Sequence, residues 1–337
     1  MKQKVLLPYQ EHPHSLMYHY LAFSLGIVYG NAAGNMNPWL SNKYVNCSFS
    51  DKQANKFTYA VEDVWFTTDQ ILLKQTIELY PEQYQLIFQA DLLTLFRRML
   101  NLGYYICGLY NEEYIPGKWN YQKQYHQHDF ILIGYDNVKQ CFLSAGYLKD
   151  RVFHRFEIPY DAMKQATATL KNPKIRYIFW KYNSDVQYRF DLQRLIADLS
   201  DYLTSTSSLK VVSRDKVWGL AAIAKLAESF SDACNQGNPM DDRYTRGLLD
   251  HKYFMMNRIE YLLQNGYLFD RAYLEQAKQV YELCEIIHML ALKYNFTGSE
   301  MTGKRACMKI RESIEMEQSY LPLVLHDLKD YSKGLVR

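Results

Sequence analysis

A chain of 337 residues can hold one large domain or two of ordinary size, each with its own core. Apolar residues make up 48% and charged residues 22%, the balance of a globular chain and not of a disordered one. The net charge of +3 is scattered without any like-charge run, which argues against nucleic acid as the main partner.

In chain order, the apolar start breaks at Pro8, too short for a signal peptide. Leu16, Tyr20, Phe23 and Ile27 share a stripe that predicts a helix from His14 to Val28, followed by a loop at Gly30–Asn35. Short strands are expected at Phe57–Val61 and Val64–Phe66, helices at Asp69–Glu78 and Gln89–Leu102, and a buried aromatic strand at Tyr104–Tyr110. Phe130–Tyr135 and Gln140–Ser144, joined by Asp136-Asn137-Val138-Lys139, read as a hairpin with suitable turn residues. A strand or turn at Val152–Ile158, a helix at Tyr160–Leu170 and a strand at Ile175–Lys181 close this half.

From about Phe190 the pattern becomes helical, with Leu209–Val212 the one strand-like exception. Stripes run through Leu192–Leu203, Val217–Phe230 and Leu274–Ala291, the last with bundle-seam spacing, and a final helix at Lys309–Tyr331 carries Pro322 as a kink or break. The expected division is residues 1–184 as an α/β domain and 185–337 as a helical bundle. No run approaches the roughly 20 apolar residues of a membrane helix. The six cysteines show no paired spacing, so neither a Cys-x-x-Cys motif nor a disulfide framework is expected, and a reducing cytoplasm fits best.

The candidate chemistry centres on His126-Gln127-His128, at the mouth of the most apolar strand. Such a position holds a histidine rigidly while keeping one face wet, as a general base or metal ligand requires. On a strand His126 and His128 share a face and Asp129 points the other way. Surface or capping roles are the plainer alternative. Ser15, in His12-Pro13-His14-Ser15, reads first as a helix cap; alternatively it is an acyl-transfer nucleophile placed at a helix N-terminus, with His14 or His128 taking its proton. The two His-x-His pairs also suggest four imidazoles around zinc or copper, though nothing in the sequence brings them together, and the expectation is no metal and no cofactor. Cys47, in a polar neighbourhood, is either a reactive thiol or a buried structural one.

The run His128-Asp129-Phe130-Ile131-Leu132-Ile133-Gly134-Tyr135-Asp136 resembles the histidine hairpin of papain-like enzymes. It is most similar to the butirosin biosynthesis protein H N-terminal family, related to C39-type peptidases. The likeness spans roughly residues 5 to 180 and includes the helix Leu16–Leu25 followed by Asn37-Pro38-Trp39-Leu40. It implies an α+β fold with a papain-like amino-terminal half and an all-α carboxy-terminal half. It also implies acyl or amide transfer in bacterial natural-product assembly, from an acyl or peptidyl carrier protein to a peptide-like or amine substrate, or else peptidase-like cleavage of a peptide. The family's nucleophilic cysteine should open the first helix, where this chain has His12 to Ser15 and no cysteine. Its partner for the histidine should lie on the next strand, at Ser144-Ala145-Gly146 here. His128 carries over, Ser15 is the nearest substitute for the thiol, and Asp136 or Asn137 is a candidate orienter. The alternative is a catalytically silent papain-like scaffold that binds a carrier protein or a biosynthetic partner.

Overall fold

The computed structural model describes residues 2–11, 18–32, 34, 36–52, 56–59, 71–150, 152–172, 174–208 and 215–335. The chain is a mixed α+β protein whose carboxy-terminal half is helical and whose main sheet is antiparallel. It packs as two compact units, one made of Met1–Ala33 with Trp65–Val186, the other of Gly34–Val64 with Gln187–Arg337. Among the described residues no helix is long and apolar enough to cross a membrane.

The first unit is built on a seven-stranded sheet. Its strands are β1 (Lys4–Leu6), β4 (Leu72–Leu79), β5 (Tyr105–Asn111), β6 (Gln127–Asp136), β7 (Cys141–Tyr147), β8 (Phe153–Pro159) and β9 (Ile175–Tyr182), in the order β4-β9-β5-β6-β7-β8. β1 pairs with the far end of β6, Val5 opposite Tyr135. Gly134 lies at that crossing, where a Cβ would stand 2.2 Å from the Val5 carbonyl oxygen, so only glycine fits. A register shift between Leu132 and Gly134 changes the alternation: Phe130, Leu132 and then Tyr135 join one core cluster. That cluster includes Leu95, Phe96 and Leu100 of α4 (Leu92–Asn101) and Met163 and Ala166 of α5 (Tyr160–Ala168). The helix α1 (His19–Asn31) lies against β6 and β9.

Within the expected helix Asp69–Glu78, the described residues from Leu72 onward form a strand instead. Leu72–Leu79 pairs with β9 along its whole length, Leu72 opposite Tyr182 and Leu79 opposite Ile175. Leu, Lys, Gln and Glu are good helix formers, but eight residues of ladder and the packing of Ile77 and Leu79 on the core outweigh that local preference. The start of α1 is also shifted. Tyr18 is extended (φ −127°, ψ 138°), so the helix begins at His19, not at His14. A helix not anticipated, α3 (Pro81–Phe88), precedes α4, whose cap is Asp91 accepting from the Thr94 amide at 2.7 Å.

The second unit contains α2 (Asn37–Leu40), α6 (Leu192–Thr204), α7 (Gly219–Asn235), α8 (Asp242–Gln264), α9 (Ala272–Thr297) and α10 (Glu300–Ser332). α10 packs on α6, α7 and α9, and α9 also packs on α8. Pro322 lies inside α10 without ending it. A small antiparallel sheet joins β2 (Ser48–Phe49) to β3 (Phe57–Thr58) and to β10 (Val217–Trp218). Residues 34–64, expected in the amino-terminal part, therefore pack with the helices, because their strand and loop partners lie beyond residue 187. The strand-like stretch Leu209–Val212 and most of the expected strands in 57–66 lie outside the described residues.

Candidate functional site

β6 is buried from Phe130 to Asp136, while Gln127, His128 and Asp129 are only half-buried at its open end. On one side they pair with β5, His128 opposite Tyr110 and Asp129 opposite Leu109. On the other side the β7 register begins only at Ile131, opposite Ala145. His128 and Asp129 thus precede the β7 ladder, and both side chains reach one cluster although neighbouring strand residues ordinarily face apart. Asp129 Oδ1 is 3.7 Å from His128 Nδ1, so it does not point away as the alternation implied.

The third member comes from α1. His19, its first residue, bonds Asp129 Oδ1 through Nδ1 at 2.7 Å. Its ring meets that of His128 edge-on at 4.5 Å between centroids and stacks on Tyr147 at 4.9 Å. One nitrogen or oxygen from each of His19, His128 and Asp129 falls within a single span of 4.8 Å.

A second layer is buried behind. Glu112 opens the 3₁₀ turn Glu112–Tyr114, and its Oε1 lies 3.4 Å from His128 Nδ1 and 3.5 Å from Lys118 Nζ. Its Oε2 accepts from Asn120 at 3.2 Å. The Lys118 ammonium donates to the Tyr147 carbonyl at 2.8 Å and sits over the Phe130 and Phe156 rings. Burial lowers the Lys118 pKa, and the Glu112 charge only partly offsets this.

The electrostatics set the resting protonation. Burial, and then the neighbouring His19, hold the His128 imidazole below its ordinary value, so it is neutral at pH 7. Burial acts to raise the Asp129 pKa, but the His19 hydrogen bond and the charges of both histidines outweigh it and keep the carboxyl below the usual range. His128 Nδ1 is a buried nitrogen without a hydrogen-bond partner among the described residues. A neutral imidazole beside an ionised carboxylate can take a proton from a bound group or donate a lone pair to a cation.

The other anticipated residues are distributed differently. His126 is exposed, its ring stacked on His128 at 5.7 Å between centroids. Ser15 and His14 lie outside the described residues, as does His12, so the proposed pairing of Ser15 with His128 falls there too. Asp136 is at the opposite end of β6, eight residues or roughly 26 Å of extended strand from His128. It accepts from the Val138 and Lys139 amides at 3.0 Å and pairs with Lys4, which makes it the cap of its own turn and not the orienter of the histidine. Cys47 belongs to the other unit, is fully buried, and donates to the Gly219 carbonyl at 3.3 Å. Burial pushes its thiol up to about 12, so it is a structural cysteine and not a reactive one. Cys107 is raised by burial and then by the Asp129 charge, and is likewise a protonated core thiol.

Sequence reasoning missed His19, Asp129, Glu112 and Lys118. His19 was hidden by a helix start placed five residues early, which set it in mid-helix and not at the first turn. Asp129 was discarded by strict strand alternation, and only the end of the β7 ladder explains its reach. No protein-family model matches the chain, and no curated protein matches it.

Proposed function

We propose that the chain carries out acyl or amide chemistry at the His128–Asp129–His19 cluster. In this reading it is a papain-like protein of natural-product assembly that takes an acyl group from a carrier protein and delivers it to an amine. One observation carries the reading: the histidine at the mouth of the central strand meets the N-terminal residue of the helix that packs on that strand. A base beside a helix N-terminus suits acyl transfer, because the helix dipole stabilises the oxyanion while the imidazole moves the proton. Asp129 orients His19, and Glu112 stands beside His128 as the carboxylate that would stabilise its imidazolium.

Burial keeps His128 neutral near pH 7, as a base must be. The absence of a thiol at the helix start favours a second reading, a silent scaffold that binds a carrier protein. His128→Ala separates the two. A base costs on the order of 10²–10⁴ in rate when removed, and the half-exposed ring contributes little to the fold. The expected result is a melting temperature close to wild type with acyl transfer from a carrier-bound thioester to an amine reduced by that factor. A variant that melts several degrees lower, with no transfer detected in either wild type or variant, would make His128 architecture and replace the enzyme by the scaffold.

A further inference from the structure

We propose that His19, His128 and Asp129 form a binding site for one divalent transition-metal ion, with zinc the preferred occupant. Two imidazoles and one carboxylate are the donor set of catalytic zinc centres, which keep a fourth position open for water, and of non-haem iron sites. Zinc bonds of about 2.0–2.2 Å put tetrahedral donor atoms roughly 3.3–3.5 Å apart. The separations from Asp129 Oδ1 to His19 Nδ1 and His128 Nδ1, 2.7 Å and 3.7 Å, lie on either side of that value, and one donor atom from each of the three residues falls within 4.8 Å of the others, so side-chain shifts on the order of an ångström admit the ion.

Three further features fit. His128 Nδ1 has no hydrogen-bond partner among the described residues, which leaves a buried lone pair or N–H unused. Asp129 and Glu112 carry two negative charges against the single ammonium of Lys118, so the pocket favours a cation. The donors also come from separate elements, α1 and the start of β6, which is how a rigid site is assembled.

The ion would supply what the acyl-chemistry reading leaves open, the activation of the nucleophile, and that part of the inference rests on the reading. Metal-bound water ionises near neutral pH. Its hydroxide would take a proton from the acceptor amine, whose nitrogen bonds to the carbonyl carbon; the C–S bond to the carrier then breaks and that proton passes to the departing thiolate.

The test uses the full chain after chelator treatment, titrated with Co²⁺ alone and followed by visible absorption, then displaced by Zn²⁺. One ion per chain is expected, with the intense bands of a four-coordinate site. His19→Gln and Asp129→Asn should each weaken binding by about 100-fold or more, whereas His154→Gln should leave it unchanged. His154 is the control because it forms an exposed pair with Asp150 and, among the described residues, belongs to no three-residue cluster. If the variants fold poorly, the wild-type chain answers alone: Zn²⁺ should protect His19 and His128 from diethyl pyrocarbonate and leave His154 reactive. No stoichiometric binding, binding undiminished in Asp129→Asn, or no protection would overturn the site. Tighter binding of Fe²⁺ than Zn²⁺ would keep the site and change its occupant. Because the titration needs no substrate, a failed acyl-transfer assay leaves the metal standing, and transfer that survives in metal-free protein removes the metal alone.

Discussion

His251 shows at the scale of one residue what burial does to a titrating group. It is fully buried on α8, and Nε2 approaches the Val45 carbonyl at 3.0 Å, which fixes that nitrogen as the donor. Nδ1 has no partner among the described residues. Burial, and then the nearby Lys252 charge, hold its pKa well below the ordinary imidazole value of about 6.5. The sign follows from proton counting. Above about 6.5 neither folded nor unfolded chain binds the proton, so His251 adds no pH dependence. As pH falls below that value the unfolded chain takes up a proton that the folded one refuses, and stability drops by up to about 1.4 kcal/mol per pH unit. His251→Gln keeps an N–H donor for Val45 without the titration. Melting temperatures of wild type and variant should therefore diverge between pH 6.5 and 5, wild type falling faster. Parallel curves would mean that the ring charges inside the fold.

At the scale of elements, α6, α8 and α10 are tied by one buried polar triad. Lys252 Nζ lies 2.6 Å from Glu317 Oε2 and 2.7 Å from the Tyr202 hydroxyl, which donates to the same carboxylate at 2.6 Å. All three are at most 1% exposed. Breaking such a pair leaves an uncompensated buried charge and costs about 3–5 kcal/mol, whereas replacing it whole by apolar groups is often neutral. Lys252→Met should lower stability by that amount in a denaturant melt, and Lys252→Met, Glu317→Leu and Tyr202→Phe together should restore most of it. A single variant as stable as wild type would show the charge pair to be unimportant. The same triad explains why α8 escaped the sequence. Asp250, His251, Lys252 and Arg258 are buried polar residues on that helix, and they interrupt the apolar stripe by which α6, α7 and α9 are recognised. The hairpin β6–β7 was legible because its turn chemistry and its apolar run agree. β4 was not, because its residues favour a helix locally and only the distant β9 makes them a strand. The site was half-legible for a related reason. His128 follows from its own neighbours, while His19 depends on where α1 starts and how α1 meets β6, which are tertiary facts.

The whole molecule is interleaved, and this governs what can be cut from it. Helices α6 to α10 lie within residues 187–337, yet two of their buried polar side chains, Arg258 and His251, bond to segment 34–64. The fully buried Arg258 donates Nε to the Ser41 carbonyl at 2.7 Å and Nη2 to the Lys43 carbonyl at 2.5 Å. His251 uses Val45, and Asn42 exchanges two hydrogen bonds with the backbone of Asp191, the cap of α6. Among the described residues β10 pairs only with β2, Val217 opposite Phe49. A fragment of residues 187–337 would expose the apolar surface under that segment and leave a buried guanidinium without its acceptors. Each lost partner costs roughly 1–3 kcal/mol, and more for a charge, against a total stability of about 5–15 kcal/mol. The fragment should therefore lack the cooperative melt of the full chain, and a peptide of residues 34–64 added in trans should restore part of it. Circular dichroism melts of fragment, fragment with peptide and full chain decide the point. A fragment that alone melts as sharply and as high as the intact protein would show that segment 34–64 decorates the helical unit and does not complete its core.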